Sequence, residues 1–271
     1  MTRWSLRQRA LLNEMGVRVW SPEREATATG QAGAATPGDP GDPVRAEAAA
    51  VASAAGPVAS LQNPTDRAQP VAPSAVADMD WAALRAAVAA CTACPLCAQR
   101  KNTVFGTGNP RARWMIVGEA PGEQEDLRGE PFVGKSGQLL DSMLAALRLS
   151  RADGVGPPRQ VYIANTVKCR PPANRNPEPA ELAQCEPFLV RQIELVEPKV
   201  IVAMGRFAVQ SLLRSSEPIG RLRGRVHRYR AVPLVVTYHP AYLLRNLQDK
   251  ARAWEDLCLA REVAAGAGPA P

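Results

Sequence analysis

Four short apolar runs constrain the fold of this chain more than any other feature: Trp114–Val117, Val161–Ala164, Val200–Met204 and Leu234–Thr237. Each is rich in β-branched residues, bounded by turn formers and nearly continuous in its hydrophobicity, the pattern of a strand buried on both faces. Helical patterns fall between and after them, over Ser136–Leu149, Pro179–Leu195, Arg206–Leu213 and Lys250–Val263. Strand alternating with helix predicts an α/β fold, with three layers (α/β/α) around a central four-stranded, mainly parallel sheet. Such sheets bind ligands at the carboxyl ends of their strands. Polar residues collect at those ends: Glu119 after the first run, Asn165 at the end of the second, Gly205 after the third and His239 after the fourth.

The remainder of the 271 residues divides unevenly. Residues 21–80 are rich in Ala, Pro, Gly and Thr and poor in aromatics, a composition that buries too little apolar surface to offset the entropy of ordering. They are expected to be a disordered linker. Residues 1–20 read as a short amphipathic segment carrying Trp4, Leu11, Met15 and Trp20. That segment either packs on its own domain or serves as a docking peptide for a protein partner. Residues 81–265 then form the globular domain and 266–271 a flexible tail. No apolar run reaches the length of a membrane span and no secretory signal is evident, so no membrane partner is expected. Six cysteines without such a signal suggest a reducing compartment, the cytoplasm (bacterial cytosol or nucleoid). The domain is expected to be a monomer.

The formal charge of +7 favours an anionic partner, and its placement sharpens that reading. Arginines 214, 221, 223, 225, 228 and 230 crowd one stretch opposed only by Glu217, and part of it reads as a basic hairpin leading into the last strand. Cys91 and Cys94 form a close pair, while Cys169 and Cys185 stand alone far downstream. A pair plus two distant singles closes one four-thiolate site around long stretches of chain, and both zinc and an iron–sulfur cluster suit four thiolates. Cys97 complicates the choice, since Cys91-x2-Cys94-x2-Cys97 also has ferredoxin-like spacing. Cys258 reads as a small buried apolar residue.

Gly118-Glu-Ala-Pro-Gly122 is followed by Glu125-Asp126, by Pro131-Phe-Val-Gly-Lys-Ser-Gly137, by Asn165 and by His239-Pro-Ala-Tyr-Leu-Leu-Arg245. From about Cys91 to Ala260 these motifs closely resemble the family 4 uracil-DNA glycosylases, the iron–sulfur branch of that superfamily. The resemblance implies a monofunctional enzyme that flips uracil out of DNA, single- or double-stranded, and hydrolyses its N-glycosidic bond. That reaction leaves an abasic site and begins base excision repair. The resemblance also favours a [4Fe–4S] cluster on Cys91, Cys94, Cys169 and Cys185, as a structural clamp.

The chemistry of base excision, read beside the resemblance, assigns expected roles, and the choice of Asn165 rests on the resemblance. An extruded base must be stacked, read on its Watson–Crick edge, and relieved of the negative charge it gains on leaving. Phe132 supplies the stacking ring, Asn165 the donors and acceptor that pair with uracil N3–H and O4, and His239 a hydrogen bond to O2. Ala120 and Pro121 line the base pocket. Ala120 stands where a better-known branch of the superfamily carries a water-orienting aspartate. The attacking water therefore falls to the backbone around Glu119 and Ala120 or to the Glu125 carboxylate, unless Glu125 instead orients His239. Gly122 stands where that branch has an aromatic excluding thymine, so the means of excluding thymine is left open. By resemblance, Leu243 is the wedge that fills the gap left by the flipped base and Arg245 touches a phosphate. Lys135, Ser136, Lys168, Arg223 and Arg225 are further DNA-binding candidates.

Two rivals remain open at this stage. One is a uracil-DNA binder that traps its substrate, although Leu127–Glu130 lacks the nucleophilic His of that branch. The other is a non-catalytic iron–sulfur redox or DNA-binding protein.

Overall fold

A computed structural model describes residues 73–266. The N-terminal segment and most of the linker expected at residues 1–80 lie outside the described residues, as does nearly all of the tail. The linker's last residues differ from expectation. Pro73–Ala77 form a helix, α1, with Val76 buried against α2 (Trp81–Ala90) and its surroundings. Ordered structure therefore begins before residue 81, because one buried valine and the Asp80 N-cap, which accepts from the Ala83 N–H, anchor a stretch whose composition alone looks featureless.

Six strands follow in the order β1 (Thr107–Gly108), β2 (Trp114–Gly118), β3 (Val161–Asn165), β4 (Val200–Met204), β5 (Val226–Tyr229) and β6 (Val232–Thr237). They form one sheet in the order β1-β3-β2-β4-β6-β5. The inner four are the expected strands, all parallel; β1 and β5 add antiparallel edges. These edges escape a periodicity reading because β1 has only two residues and β5, Val-His-Arg-Tyr, is half polar. The basic hairpin expected before His239 is realised only in part: Arg228 lies on β5 and Arg230 in the turn of the β5–β6 pair, whereas Arg221 sits on a short helix over 219–222 and Arg223 and Arg225 follow it.

Every residue of β2, β3 and β4 is buried, since helices cover both faces. Trp114, Ile116, Ile163, Val202 and Val235 pack under α4 (Lys135–Ala146) and α9 (Lys250–Ala264). Met115, Val117, Tyr162, Ala164, Ile201, Ala203 and Val236 pack under α5 (Pro179–Val196) and α6 (Arg206–Leu213). The alternation along each strand is the two-residue pleat, with both sides apolar. A third cluster joins α1, α2 and the early part of α5, and holds Cys169 and Cys185. The described residues also include the short α-helices α3 (Glu123–Arg128), α7 (Ile219–Leu222) and α8 (Pro240–Leu243). Among the described residues no helix is long and apolar enough to cross a membrane.

The chain crosses from β2 to β3 on one side and then to β4 on the other. The crevice opens where that reversal occurs, at the carboxyl ends of the four parallel strands.

Candidate active site

A pocket of about 950 Å³ occupies this crevice. Its inner wall comes from strand ends whose positions are set by the sheet register. Gly118 pairs with Asn165 across β2 and β3, and Met204 with Thr237 across β4 and β6. Asn165 is therefore held beside the start of the Gly118–Gly122 turn, and His239 follows two residues beyond the end of β6.

Asn165 is 1% exposed, yet its buried Oδ1 has no hydrogen-bond partner. An unsatisfied buried acceptor costs about 1–3 kcal/mol. Such an atom on a pocket wall is free to accept a ligand N–H. The backbone carbonyl of Asn165, by contrast, is tied down by Lys168 Nζ at 2.8 Å.

Two glycines make room for this arrangement. A Cβ at Gly118 would lie 2.5 Å from both Asn165 Oδ1 and Phe132 Cζ, so only glycine lets the amide and the ring meet over β2. A Cβ at Gly137, inside α4, would lie 1.7 Å from the Phe132 carbonyl oxygen. Phe132 itself adopts φ +55°, a left-handed conformation rare for a bulky residue and one that persists only where the surroundings enforce it. The close approach of α4 is that enforcement. The Phe132 ring then lies against the His239 imidazole, with centroids 5.5 Å apart and planes 30° apart, and the two rings form one wall.

The protonation of His239 follows from its neighbours. The Ala241 backbone N–H donates to His239 Nδ1 at 3.2 Å, which assigns the proton to Nε2. The residue keeps some accessible surface, but dense protein around the ring dominates. This burial pushes the imidazole down to about 4, with the Glu125 carboxylate pulling weakly the other way. His239 is thus a neutral Nε2–H donor at physiological pH.

The two candidate carboxylates have different surroundings. Glu125 accepts three backbone N–H groups, from Gly122 at 3.1 Å, Val133 at 2.8 Å and Gly134 at 2.9 Å. It pins the Gly118–Gly122 turn to the Phe132 loop, and its lone pairs are largely committed. Glu119 lines the pocket with no such anchors. Burial raises it to about 7, against the opposing pull of the Arg206 guanidinium. Arg206 also lines the pocket and was not among the sequence-derived candidates. Its position right after Gly205 at a strand end was the available signal.

The structure gathers most of the expected residues. Glu119, Ala120, Pro121, Glu125, Phe132, Ser136, Asn165, His239 and Arg245 all line the pocket. Lys135 is exposed at the start of α4, and Arg225 is exposed between α7 and β5. Three expected DNA contacts are corrected. Lys168 is 1% exposed and spends its ammonium on the Asn165 carbonyl and Gln192 Oε1, so it faces the core. Arg223 is clamped by Asp256, Glu255 and the Arg252 carbonyl. Leu243 is fully buried in the core, whereas Leu244 beside it is 41% exposed.

The cysteines meet at the cluster that joins α1, α2 and α5. Cys91, Cys94, Cys169 and Cys185 line one small cavity, and Cys97 also reaches it. Arg100 Nη1 donates to Cys169 Sγ at 3.3 Å and the Lys168 N–H to Cys185 Sγ at 3.2 Å. Burial pushes the Cys185 thiol up to about 12, with Lys168 opposing and Cys169 and Cys94 adding to the rise. Burial likewise raises Cys169, against Arg100, with Cys94 and Cys91 adding. Burial also raises the Cys94 thiol, with Cys91, Glu181 and Cys97 adding to the rise, so Cys97 stands close to the expected four. Among the described residues no three ligand-type side chains close around a single metal ion.

A sequence profile of the Uracil DNA glycosylase superfamily matches residues 105–258, more than half of the chain. The chain belongs to the uracil-DNA glycosylase superfamily. Its similarity to named type-4 enzymes places it in that branch. It is 44% identical to the type-4 uracil-DNA glycosylase of Archaeoglobus fulgidus over 169 residues, covering 59% of this chain and 81% of the relative. The type-4 uracil-DNA glycosylase of Thermotoga maritima is 44% identical over 164 residues, 60% of this chain and 82% of the relative. That of Pyrobaculum aerophilum is 40% identical over 189 residues, 67% and 93% respectively. The superfamily match spans the whole parallel sheet, and with it every pocket-lining strand end.

Proposed function

We propose that this uracil-DNA glycosylase hydrolyses the N-glycosidic bond of uracil extruded from DNA, with Asn165, His239, Phe132 and Glu119 as its working residues. The observation that carries the assignment of roles is the partnerless Asn165 Oδ1 beside a neutral His239 Nε2–H in one pocket. Asn165 Oδ1 accepts uracil N3–H and its Nδ2 donates to O4; cytosine presents the reverse pattern and leaves both unpaired. Phe132 gives the base an apolar face. As the bond to the sugar breaks, the electron pair moves onto the base, and His239 Nε2–H stabilises the charge at O2. A neutral donor suits this task because it shares its hydrogen with the anion without delivering a full proton. The Glu119 carboxylate, raised toward neutrality, accepts the proton of the water that attacks the sugar carbon.

Glu125 Oε2 lies 2.7 Å from where a Cβ on Gly122 would be. The held carboxylate fills the space of the aromatic found in the other branch and supports a reading of Glu125 as the barrier to thymine's methyl. Exposed Leu244, not Leu243, suits the wedge, with Arg245, Lys135, Ser136 and Arg225 meeting phosphates.

The thiol set suits a [4Fe–4S] cluster on Cys91, Cys94, Cys169 and Cys185. Four sulfurs spread around one cavity, with N–H donors aimed at two of them, fit a group larger than a single ion. When bound, the cluster would cross-link the chain before β2, after β3 and on α5. No step of the base chemistry falls to these residues. The reading places the protein in the cytoplasm, with its DNA.

The test is release of free uracil from a single- and a double-stranded oligonucleotide by cluster-loaded protein. Uracil release that leaves an abasic strand is the expected result; intact oligonucleotide at all enzyme concentrations overturns the assignment.

A further inference from the structure

The pocket is too large for its base. Its volume of about 950 Å³ lies near the top of the range of roughly 300–1,000 Å³ that accommodates whole drug-sized ligands. Uracil is a single six-membered ring. The residues already given roles at the base are only part of its lining.

Part of the lining has a definite chemistry. Tyr238 and Tyr242 both line the pocket and stack on each other with centroids 5.1 Å apart and planes 16° apart. Tyr242 is 37% exposed, so part of its ring remains open to a partner. The ring is also held in place. Its hydroxyl donates to Asp249 Oδ2 at 2.8 Å, and Arg252 in turn holds Asp249 Oδ1 at 3.0 Å. Its backbone N–H donates to the His239 carbonyl at 2.9 Å, which ties its backbone to the His239 loop. Arg206 and Arg245 line the same pocket and are exposed. A pre-stacked, anchored aromatic pair flanked by cations is the composition that binds single-stranded nucleic acid, where rings stack bases and guanidinium groups meet phosphates. Holding the ring before the ligand arrives also spares the entropy of ordering it.

We propose that this part of the pocket is a second nucleotide subsite, in which Tyr242, backed by Tyr238, stacks the base adjacent to the extruded uracil. Arg206 and Arg245 take the phosphates that connect the two nucleotides. The proposal rests on the uracil-excision reading and extends it to a two-nucleotide footprint. Because both bases leave the duplex stack, the subsite favours single-stranded or locally melted DNA over a perfect duplex.

The test uses two single-stranded oligonucleotides with one uracil each. In the second, the bases on either side of uracil are replaced by base-free tetrahydrofuran spacers, so that the phosphates are unchanged. For the wild-type enzyme, KM rises about tenfold on the spacer substrate, the scale of one base stacked on an aromatic side chain. Tyr242→Ala raises KM about tenfold on the natural oligonucleotide but adds little on the spacer substrate, and Tyr242→Phe restores the natural KM. Equal KM values for the wild-type enzyme on the two substrates overturn the subsite. So does a Tyr242→Ala loss of the same size on both, because it would report a disturbed loop. Uracil release from the spacer substrate keeps the excision reading intact whichever way the subsite falls.

Discussion

Gly118→Ala is the sharpest test of how the pocket is built. The added methyl would sit 2.5 Å from Asn165 Oδ1 and from Phe132 Cζ, and 2.7 Å from Phe132 Cε2, about 0.9 Å short of the 3.4 Å of ordinary contact. The strand cannot retreat. Gly118 lies on fully buried β2, in register with Asn165, and its carbonyl accepts the Thr166 N–H at 3.0 Å. The ring and the amide must move instead, and these are the two groups that would grip the base. Overpacking of this kind costs about 1–3 kcal/mol, a fall in Tm of roughly 2–4 °C for each kcal/mol in a domain of this size. Misplacing reacting groups by about 1 Å costs on the order of 10²-fold in rate. Single-turnover excision should therefore fall about a hundredfold while the protein stays folded by circular dichroism and melts only a few degrees lower. Wild-type turnover in the Gly118→Ala enzyme would refute the reasoning, because it would mean that Asn165 and Phe132 need not hold these positions.

Further outcomes follow from the site. His239→Ala should lower turnover about 10²–10³-fold, the loss of one such donor, and the wild-type profile should show no His-dependent acid limb near 6.5, since the imidazole ionises near 4. The rate should climb with pH through about 7 as Glu119 ionises, and Glu119→Gln should erase that limb. Stability runs the other way. The folded state holds the Glu119 proton more tightly than the unfolded chain, so this contribution is full below about 4.5 and lost as pH rises through about 7. Glu119→Gln should accordingly melt higher than wild type at pH 8 but not at pH 4. Cys185→Ser should lose iron, visible absorbance and thermal stability together, whereas Cys97→Ser should keep about four irons per chain; iron lost equally from both would move Cys97 into the ligand set.

The sheet core and the inner pocket were legible because both follow from local pattern. Apolar runs of strand length force burial, and the parallel order then brings Asn165 and His239 to one edge. Long-range pairing was not legible. Arg214 meets Glu186, Arg223 meets Asp256 and Arg230 meets Glu194, so half of the apparent DNA-binding arginine run is occupied internally. Nothing in a run of arginines announces a carboxylate on another helix. Lys168 misleads for the same reason, since its partner Gln192 is on α5. Leu243 and Leu244 are identical in the sequence and are separated only by the turn of α8, which aims one at the core and the other at solvent. The different settings of Glu119 and Glu125 follow from which backbone N–H groups each reaches, and a sequence does not show that.

The two glycines under Phe132 also bear on how such an enzyme can change. A side chain at Gly118 or Gly137 collides with the ring, the amide or the backbone that carries them, so neither position can be explored one substitution at a time. Change has more room elsewhere, in the loop of Asn174, Arg175 and Asn176 along the pocket edge. The floor built on Gly118, Gly137, Phe132 and Asn165 is the sterically constrained part of this pocket, and its rim is where substitutions meet less resistance.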